Sequence, residues 1–295
     1  MTLRNLTVPL MWAWAKTLFA AGLCLFIHPV FAQSVPVHAE GLQEELVTVT
    51  LADGKRTQSG VYSIKLGTTQ HTRLAVLLPG YPSVVRPVVS DGLMQSSRLT
   101  GNFLIRSRRH LADEAIATLI VDCHSESGDY CSSSYQASAE RQRDVQRLID
   151  NVRERYSSIE EVWLIGTSMG TISSSFMPIH DPKPYAGAIH TASITEPEVP
   201  NSYRELAKFD YSRSGVQQFF VHHKNDPCFL TTWNGAKRIS DKYNIPLITV
   251  LGGNGFQGKP CMAHTEHGFK GMEALTMSAI GRLVKTGRAD QLEVK

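Results

Sequence analysis

The sequence lacks several features that mark membrane, nucleic-acid and metal proteins. Its N-terminal apolar stretch, residues 17–27, is eleven residues long before His28 and Pro29, whereas a membrane-spanning helix needs about 20. The 30 Lys and Arg residues barely outnumber the 27 Asp and Glu residues, so the charge gives no case for a nucleic-acid partner. No Cys-x-x-Cys pair, internal repeat or low-complexity tract occurs, which disfavours zinc and a repeat architecture.

Residues 1–32 have the organisation of a secretory signal peptide. Arg4 and Lys16 precede the apolar stretch, and a small residue, Ala32, ends the segment. We therefore expect cleavage after Ala32, export to the periplasm or the medium, and no stable membrane insertion afterwards. The alternative, an uncleaved membrane anchor, is disfavoured by the short apolar stretch.

The remaining chain, residues 33–295, fits one large domain. It has 263 residues with 28 Lys and Arg against 27 Asp and Glu, because the removed segment carries two basic and no acidic side chains, and its net charge is +1. We interpret a short basic run on a predicted helix as a solvated face. That run contains Arg106, Arg108, Arg109 and His110. The sequence leaves the oligomeric state open.

Four cysteines remain in that domain. They are Cys123, Cys131, Cys228 and Cys261. An even number in an exported chain predicts two disulfides, and three pairings are possible from the count alone.

Apolar segments that are typical of strands alternate along the chain with segments that are typical of helices. Strands are predicted over residues 45–51, 60–66, 72–78, 117–121, the run from Val162, 185–189, 219–221 and 245–251. Helices are predicted over residues 99–115, 138–156, 172–177, 233–243 and 271–286. This order predicts an α/β fold with a mostly parallel central sheet, helices on both faces and an antiparallel opening. Ligands of such sheets bind beyond the carboxyl ends of the strands.

Residues 195–215 belong to none of these predicted elements. The segment is about twenty residues long, which is more than an ordinary connection needs. We predict a short lid over the site, and a plain surface excursion is the alternative.

The run from Glu161 to Thr171 is the centre of the functional prediction. Apolar residues end abruptly in the Gly-x-Ser-x-Gly motif of Gly166, Ser168 and Gly170, and a helical segment follows. A serine at such a strand-turn-helix apex has its hydroxyl exposed. The motif resembles the nucleophile elbow of the α/β-hydrolase superfamily. The resemblance implies an α/β-hydrolase fold with Ser168 as the nucleophile.

The same resemblance implies the other two members of a catalytic triad. In this superfamily the acid and the histidine follow the serine, on loops after later strands. Asp226 after the strand around residues 219–221, and His267 before the last helix, match those positions. His264 is the competing base, but the His-Gly-Phe step at His267, which leads into the last helix, resembles that of dienelactone-hydrolase-like esterases of this superfamily.

An oxyanion hole needs two preorganised donors. The backbone N–H of Met169, directly after the nucleophile, is the first. The run Pro79-Gly80-Tyr81-Pro82 resembles the His-Gly-aromatic-Pro loop of the family, which assigns the second donor to the N–H of Tyr81. Pro79 replaces the family histidine, so other groups must hold the loop. A merely structural turn is the alternative.

Together these matches imply an exported serine hydrolase that cleaves ester-type bonds of a small acyl substrate through an acyl-enzyme, with no cofactor. A peptidase or amidase using the same triad is one alternative. A catalytically silent binding protein of the same fold is another.

The implied triad also selects a disulfide pairing. Cys228 lies two residues after Asp226, and Cys261 lies six before His267. If Asp226 orients His267, these loops meet, so we predict a Cys228–Cys261 bond and, by remainder, a Cys123–Cys131 bond.

Overall fold

The central sheet of the computed structural model has nine strands in the residues it describes, 35–200 and 202–295. The strands of the chain are β1 Leu42–Thr50, β2 Thr57–Lys65, β3 Arg73–Leu78, β4 Val88–Ser90, β5 Leu93–Ser96, β6 Ile116–Val121, β7 Glu161–Thr167, β8 Gly187–Thr191, β9 Gln217–His223, β10 Leu247–Val250 and β11 Glu293–Val294. The sheet order is β1-β2-β6-β3-β7-β8-β9-β10-β11, and β4 and β5 form a separate hairpin. Within the nine-stranded sheet, pairs β1–β2 and β2–β6 are antiparallel, and the other pairs are parallel.

Helices cover both faces of this sheet. They are α1 Phe103–Ser107, α2 Ser133–Gln136, α3 Ala139–Arg155, α4 Thr171–His180, α5 Trp233–Tyr243 and α6 Glu273–Thr286. No helix in the described part of the chain combines the length and apolar character that crossing a membrane requires. The expected mostly parallel α/β architecture is confirmed. The predicted signal peptide, residues 1–32, lies outside the described residues, and Val35–Lys295 form one compact unit.

Strand β3 illustrates how the core is divided between the two faces. Leu74 and Val76 join the core cluster that contains the α3 residues, whereas Ala75 and Leu77 join the cluster that contains α1 and α6 residues. This alternation follows from the two-residue period of a strand. Each fully buried Leu or Val side chain contributes about 1.5–3 kcal/mol. Continuous apolar strands in this sequence are therefore strands buried on both faces.

Helix α3 forms within the range predicted for it, residues 138–156, and carries an apolar stripe. The Ser138 side chain accepts a hydrogen bond from the N–H of Arg141 and caps the helix N-terminus. The stripe is fully buried against the sheet. It consists of Val145, Leu148, Ile149 and Val152.

The register between β3 and β7 positions the site. Leu78, the last residue of β3, lies opposite Gly166 of β7. The loop that follows β3 therefore starts beside the turn that follows β7, so Pro79 to Pro82 lie next to the serine turn.

Two expectations for residues 99–115 are wrong. The continuous helix is replaced by the five-residue α1 and a 3-10 turn over Arg108–His110. Arg108 is not on a solvated face, because its side chain is fully buried and forms two hydrogen bonds of 2.7 and 2.8 Å with the Glu44 carboxylate. This buried pair fixes the chain where the predicted helix would have continued.

Residues 195–215 contain two short 3-10 turns, Arg204–Leu206 and Tyr211–Arg213, with Asn201 outside the described residues. Leu206 joins a core cluster with Met169 and Ile172. The segment therefore packs beside the residue that follows Ser168.

Candidate active site

Ser168 lies at the apex of a sharp turn between β7 and α4. Its φ angle is 51°, a left-handed conformation that non-glycine residues seldom adopt. A 3-10 turn over Ser168–Gly170 leads directly into α4. Strained backbone of this kind persists where the surrounding structure holds it in place, and it is concentrated at functional sites.

The two glycines of the motif are required by close packing. A Cβ atom on Gly166 would lie 2.5 Å from Oγ of Ser174, and one on Gly170 would lie 2.0 Å from the carbonyl oxygen of Leu78. Both distances are far below van der Waals contact. The Gly-x-Ser-x-Gly spacing is therefore a steric requirement of this turn.

Asp226 and His267 are brought together although their sequence positions are 41 apart. Asp226 follows the end of β9, and His267 lies in a 3-10 turn before α6. The distance between Oδ2 of Asp226 and Nδ1 of His267 is 3.0 Å, and their side chains are 0% and 6% exposed. Oδ1 of Asp226 accepts a 2.9 Å hydrogen bond from the N–H of Cys228. The arrangement holds the carboxylate against the imidazole.

Thr231 also contacts this pair, and the sequence analysis did not single it out. Its Oγ1 atom lies 2.8 Å from Oδ2 of Asp226 and 3.0 Å from Nδ1 of His267. The residue is fully buried. A threonine five residues after a candidate acid carries no distinctive pattern, so no sequence signal pointed to it.

Ser168 and His267 are not joined by a hydrogen bond in the described part of the chain. Nδ1 of His267 faces Asp226 and Thr231, which leaves Nε2 as the ring nitrogen available to another group. Catalytic hydrogen bonds are often long in the absence of substrate. The Ser168 to His267 link therefore remains a prediction.

The other histidines near the site have different environments. The Nε2 atom of His222 accepts a 2.9 Å hydrogen bond from the N–H of Ser193, and burial lowers its pKa to about 4. Nε2 of His223 lies 2.9 Å from the carbonyl oxygen of Gly252. His264 is exposed. The carboxylate partner of a catalytic base is therefore found at His267, and not at these three positions.

The loop after β3 lies against Ser168. A Cβ atom on Gly80 would lie 3.0 Å from Cβ of Ser168 and 3.6 Å from its Oγ. Tyr81 and Pro82 are joined by a cis peptide bond. Among the backbone hydrogen bonds outside helices and strands in the described residues, none is donated by the N–H of Tyr81 or of Met169. Their role as oxyanion donors remains a prediction.

Side chains of the loop and of α2 hold the segment where Pro79 replaces the family histidine. The Ser83 hydroxyl donates a 2.8 Å hydrogen bond to the carbonyl oxygen of Pro79. The Gln136 amide donates to Oγ of Ser83 at 3.2 Å and accepts from Oγ of Ser173 at 3.1 Å. The N–H of Cys131 donates to the carbonyl oxygen of Pro82 at 3.0 Å. These hydrogen bonds hold the loop although position 79 carries a proline.

The buried carboxylate of Asp122, at the end of β6, fixes the far end of the same loop. It accepts hydrogen bonds from the N–H groups of Val85 and Arg86 at 2.6 and 2.9 Å. It also accepts a 2.7 Å bond from the N–H of Cys123. Backbone donors therefore compensate its burial.

No protein-family model matches the sequence, and no curated protein matches it. Solved structures do match. A putative alpha/beta hydrolase from Agrobacterium tumefaciens has a TM-score of 0.53 at 14% identity, covering 85% of this chain and 99% of that protein. The esterase Pf2001 of Pyrococcus furiosus has a TM-score of 0.52 at 13% identity, covering 83% and 92%. A putative dipeptidyl aminopeptidase IV from Bacteroides ovatus has a TM-score of 0.55 at 11% identity, covering 83% of this chain and 36% of that protein.

The chain has the α/β-hydrolase fold. Ser168 occupies the turn after β7, a central strand of this sheet. The predicted acid and histidine occupy loops after later strands of the same sheet.

Two disulfides flank the candidate site. The structure joins Cys123 to Cys131 and Cys228 to Cys261, with sequence separations of 8 and 33. These are the two pairs that the sequence analysis selected. The first closes the loop that contacts Pro82, and the second ties the Asp226 loop to the His267 loop.

Three tyrosines lie close together at the loop that follows β3. The side chains of Tyr81 and Tyr130 are 65% and 39% exposed, and their ring centroids lie 5.7 Å apart. Burial, and then the nearby Tyr130 and Tyr81, raise the pKa of Tyr203 to about 12.

The described residues contain no group of three or more His, Cys, Asp or Glu side chains arranged to hold a metal ion.

Proposed function

We propose that this protein is a serine hydrolase that cleaves ester bonds through the triad Ser168, His267 and Asp226. The observation that carries the proposal is the buried 3.0 Å contact between Asp226 and His267 in a fold whose strained elbow carries Ser168. A serine hydroxyl needs such a base, and the base needs such a carboxylate, to act as a nucleophile near neutral pH.

In the proposed acylation step, Oγ of Ser168 attacks the ester carbonyl carbon and its proton passes to Nε2 of His267. Asp226 keeps the imidazole proton on Nδ1 and stabilises the imidazolium that forms. The N–H groups of Met169 and Tyr81 stabilise the negative charge on the carbonyl oxygen by donating hydrogen bonds to it. The tetrahedral intermediate collapses as the imidazolium returns its proton to the departing alcohol.

Deacylation repeats these roles with water as the nucleophile. His267 removes a proton from water, the hydroxide attacks the acyl-enzyme carbonyl, and the proton then returns to Oγ of Ser168. The products are the free acid and a regenerated serine. Every proton is returned, so the cycle needs no cofactor.

Ester hydrolysis is favoured over peptide hydrolysis by the coverage of the neighbours. The esterase from Pyrococcus furiosus is covered over 92% of its length. The chain spans only 36% of the putative dipeptidyl aminopeptidase IV, so the rest of that protein has no counterpart here. Amide cleavage by the same triad is the second candidate.

We also propose that the protein is exported. The signal-like residues 1–32 support this, and so do the two disulfides, because such bonds persist in oxidising compartments. N-terminal sequencing of protein recovered from the periplasm or the medium should begin at Gln33. A chain recovered intact from the membrane would contradict the proposal.

The decisive experiment is labelling with a fluorophosphonate, followed by a matched panel of p-nitrophenyl esters and p-nitroanilides. We expect labelling of the wild type, faster ester than anilide cleavage, and loss of both labelling and about 10⁶-fold of the turnover in Ser168→Ala. Ser175→Ala is the control, because it removes a buried hydroxyl on α4 and should leave labelling intact. Undiminished labelling of Ser168→Ala would refute the nucleophile, and no labelling of a folded wild type would favour a silent binding protein.

A further inference from the structure

We propose that Thr231 is a positioning residue of the catalytic centre, which acts on the proton shared by Asp226 and His267. The inference rests on the proposed function for its catalytic consequence. Its geometry stands independently, because one hydroxyl oxygen lies 2.8 Å from the acid and 3.0 Å from the imidazole nitrogen.

The direction of the hydrogen bonds follows from the available protons. Thr231 has one hydroxyl proton, and the charged Oδ2 of Asp226 is a stronger acceptor than a neutral imidazole nitrogen. With that proton donated to Asp226, the oxygen of Thr231 presents only lone pairs to Nδ1 of His267. Both polar neighbours of Nδ1 are then acceptors, so the ring proton stays on Nδ1. Nε2 is thereby kept as the unprotonated base.

The turn around Thr231 fixes the hydroxyl in place. The N–H of Thr231 donates a 3.1 Å hydrogen bond to the carbonyl oxygen of Cys228, and the N–H of Cys228 donates to Oδ1 of Asp226 at 2.9 Å. Thr231 is fully buried, so its hydroxyl is shielded from bulk solvent. One short turn therefore supplies a donor to each carboxylate oxygen.

The hydroxyl also moderates the base. A hydrogen bond donated to a carboxylate disperses its negative charge, which weakens the stabilisation of the imidazolium form. Removing the hydroxyl should therefore leave more negative charge on Asp226 and strengthen its stabilisation of the imidazolium. Two other ionisable groups near the His267 loop keep their charge state when the hydroxyl is removed. His222 on β9 is neutral because burial lowers its pKa to about 4, and Arg106 on α1 binds the carbonyl oxygen of Gly268 and is unaltered by the change.

The test compares Thr231→Val, Thr231→Ser and the control Thr118→Val. Thr118 is a fully buried threonine on β6 whose hydroxyl has no hydrogen-bond partner in the described residues. We expect Thr231→Val to lower kcat by about 10-fold to 100-fold with a small change in KM. The acidic limb of its kcat/KM profile should move to higher pH. Thr231→Ser should restore both values, and Thr118→Val should change neither.

A wild-type kcat and pH profile in Thr231→Val would overturn the inference. If that variant does not fold, Thr231→Ala carries the same comparison.

A second readout separates this inference from the proposed function. The Nδ1–H proton of His267 gives a downfield proton NMR resonance when it is hydrogen-bonded, whether or not the enzyme turns over. We expect it to shift in Thr231→Val and not in Thr118→Val. If the wild type resists fluorophosphonate but the resonance still shifts in Thr231→Val, the result would contradict the hydrolase function and support the Thr231 contact. An unmoved resonance would contradict the Thr231 role.

Discussion

Nη2 of Arg106 donates a 2.7 Å hydrogen bond to the carbonyl oxygen of Gly268, the residue that follows His267. Nη1 of the same guanidinium donates a 2.7 Å bond to the carbonyl oxygen of Gly101. Its charge is paired with Glu273 at 3.0 Å. One side chain of α1 thus connects the loop of the candidate base to the beginning of α6.

We predict that Arg106→Met lowers both stability and kcat, because it leaves two carbonyl oxygens and a partly buried carboxylate without their donor. The free energy of unfolding should fall by about 2 kcal/mol, and kcat by about tenfold. Arg106→Lys should restore little, since a lysine cannot reproduce the planar fork. Urea unfolding and steady-state kinetics provide the measurement.

Arg109→Met is the matched control, because Arg109 pairs with the exposed Glu40 and should cost little. Equal losses of unfolding free energy and kcat in both variants would show that Arg106 has no special role.

The base assignment predicts a contrast between two histidines three residues apart. His267→Ala should reduce turnover nearly as far as Ser168→Ala, because triad members act as a unit. His264→Ala should keep most of the activity, since its side chain is exposed and has no carboxylate partner in the described residues. Ester hydrolysis by the two purified variants measures the contrast, and exchanged outcomes would transfer the base to His264.

Much of the fold could be predicted because its signals are local. The apolar stripe of α3, the helix at Trp233–Tyr243 and the elbow around Ser168 each follow from the spacing of neighbouring residues. The same reasoning gave a wrong prediction for residues 99–115. Helical spacing is present there, but the buried pair between Arg108 and Glu44 depends on a partner 64 positions away.

The candidate site was predictable to a similar extent. Asp226 and His267 follow from their order after strands, which the family resemblance supplies. Thr231 and Gln136 did not, since the hydrogen bonds of a hydroxyl or an amide are set by tertiary contacts. A side chain that acts through another residue leaves no spacing pattern in the sequence.

The loop beside the nucleophile gives a third prediction. Gln136→Leu removes the donor to Ser83 and the acceptor for Ser173, so the Tyr81 donor should lose its fixed position. We expect kcat to fall by about tenfold with little change in KM, because oxyanion stabilisation acts in the transition state. Steady-state kinetics on one ester substrate provides the check.

The control is Gln142→Leu, a buried glutamine of α3 whose amide contacts Tyr185 at 3.4 Å. The same loss of kcat in that variant would show that Gln136 has no specific role.

Two buried histidines predict a loss of stability in acid. Burial lowers the pKa of His190 and of His222 from the ordinary 6.5 to about 4. Between these pH values the unfolded chain binds protons that the folded chain does not, so stability is complete above pH 6.5 and falls as the pH drops toward 4. Each group should contribute a loss of about 3 kcal/mol between pH 7 and pH 4.

Urea unfolding across that range measures the slope. His190→Asn should reduce the pH dependence of the unfolding free energy by the contribution of one histidine. Replacement of the exposed His180 by Asn should leave that dependence unchanged. An unaltered slope in His190→Asn would contradict the buried neutral state.

The disulfides predict unequal effects. By the chain-entropy model, losing Cys228–Cys261 should cost about 3–4 kcal/mol and losing Cys123–Cys131 about 2.5 kcal/mol. Cys261→Ser should also lower activity at temperatures where the core remains folded, because the acid and base loops lose their tether. Activity and far-UV circular dichroism on the same sample measure both quantities. Full activity in a folded Cys261→Ser variant, or a different pairing in non-reducing peptide maps, would contradict this assignment.

The Cys228–Cys261 bond also determines what happens if the chain is cut. Residues 254–260, which include two glycines, form an exposed stretch inside the ring that this bond closes, and such stretches are preferred sites of proteolysis. A cut there would divide the polypeptide between Asp226 and His267, yet the two fragments would remain covalently joined. The nicked molecule should run as one band without reductant and as two with it. Its acid and base would still be held together, so limited digestion alone should leave much of the activity. Digestion followed by reduction should separate the fragments and abolish the activity.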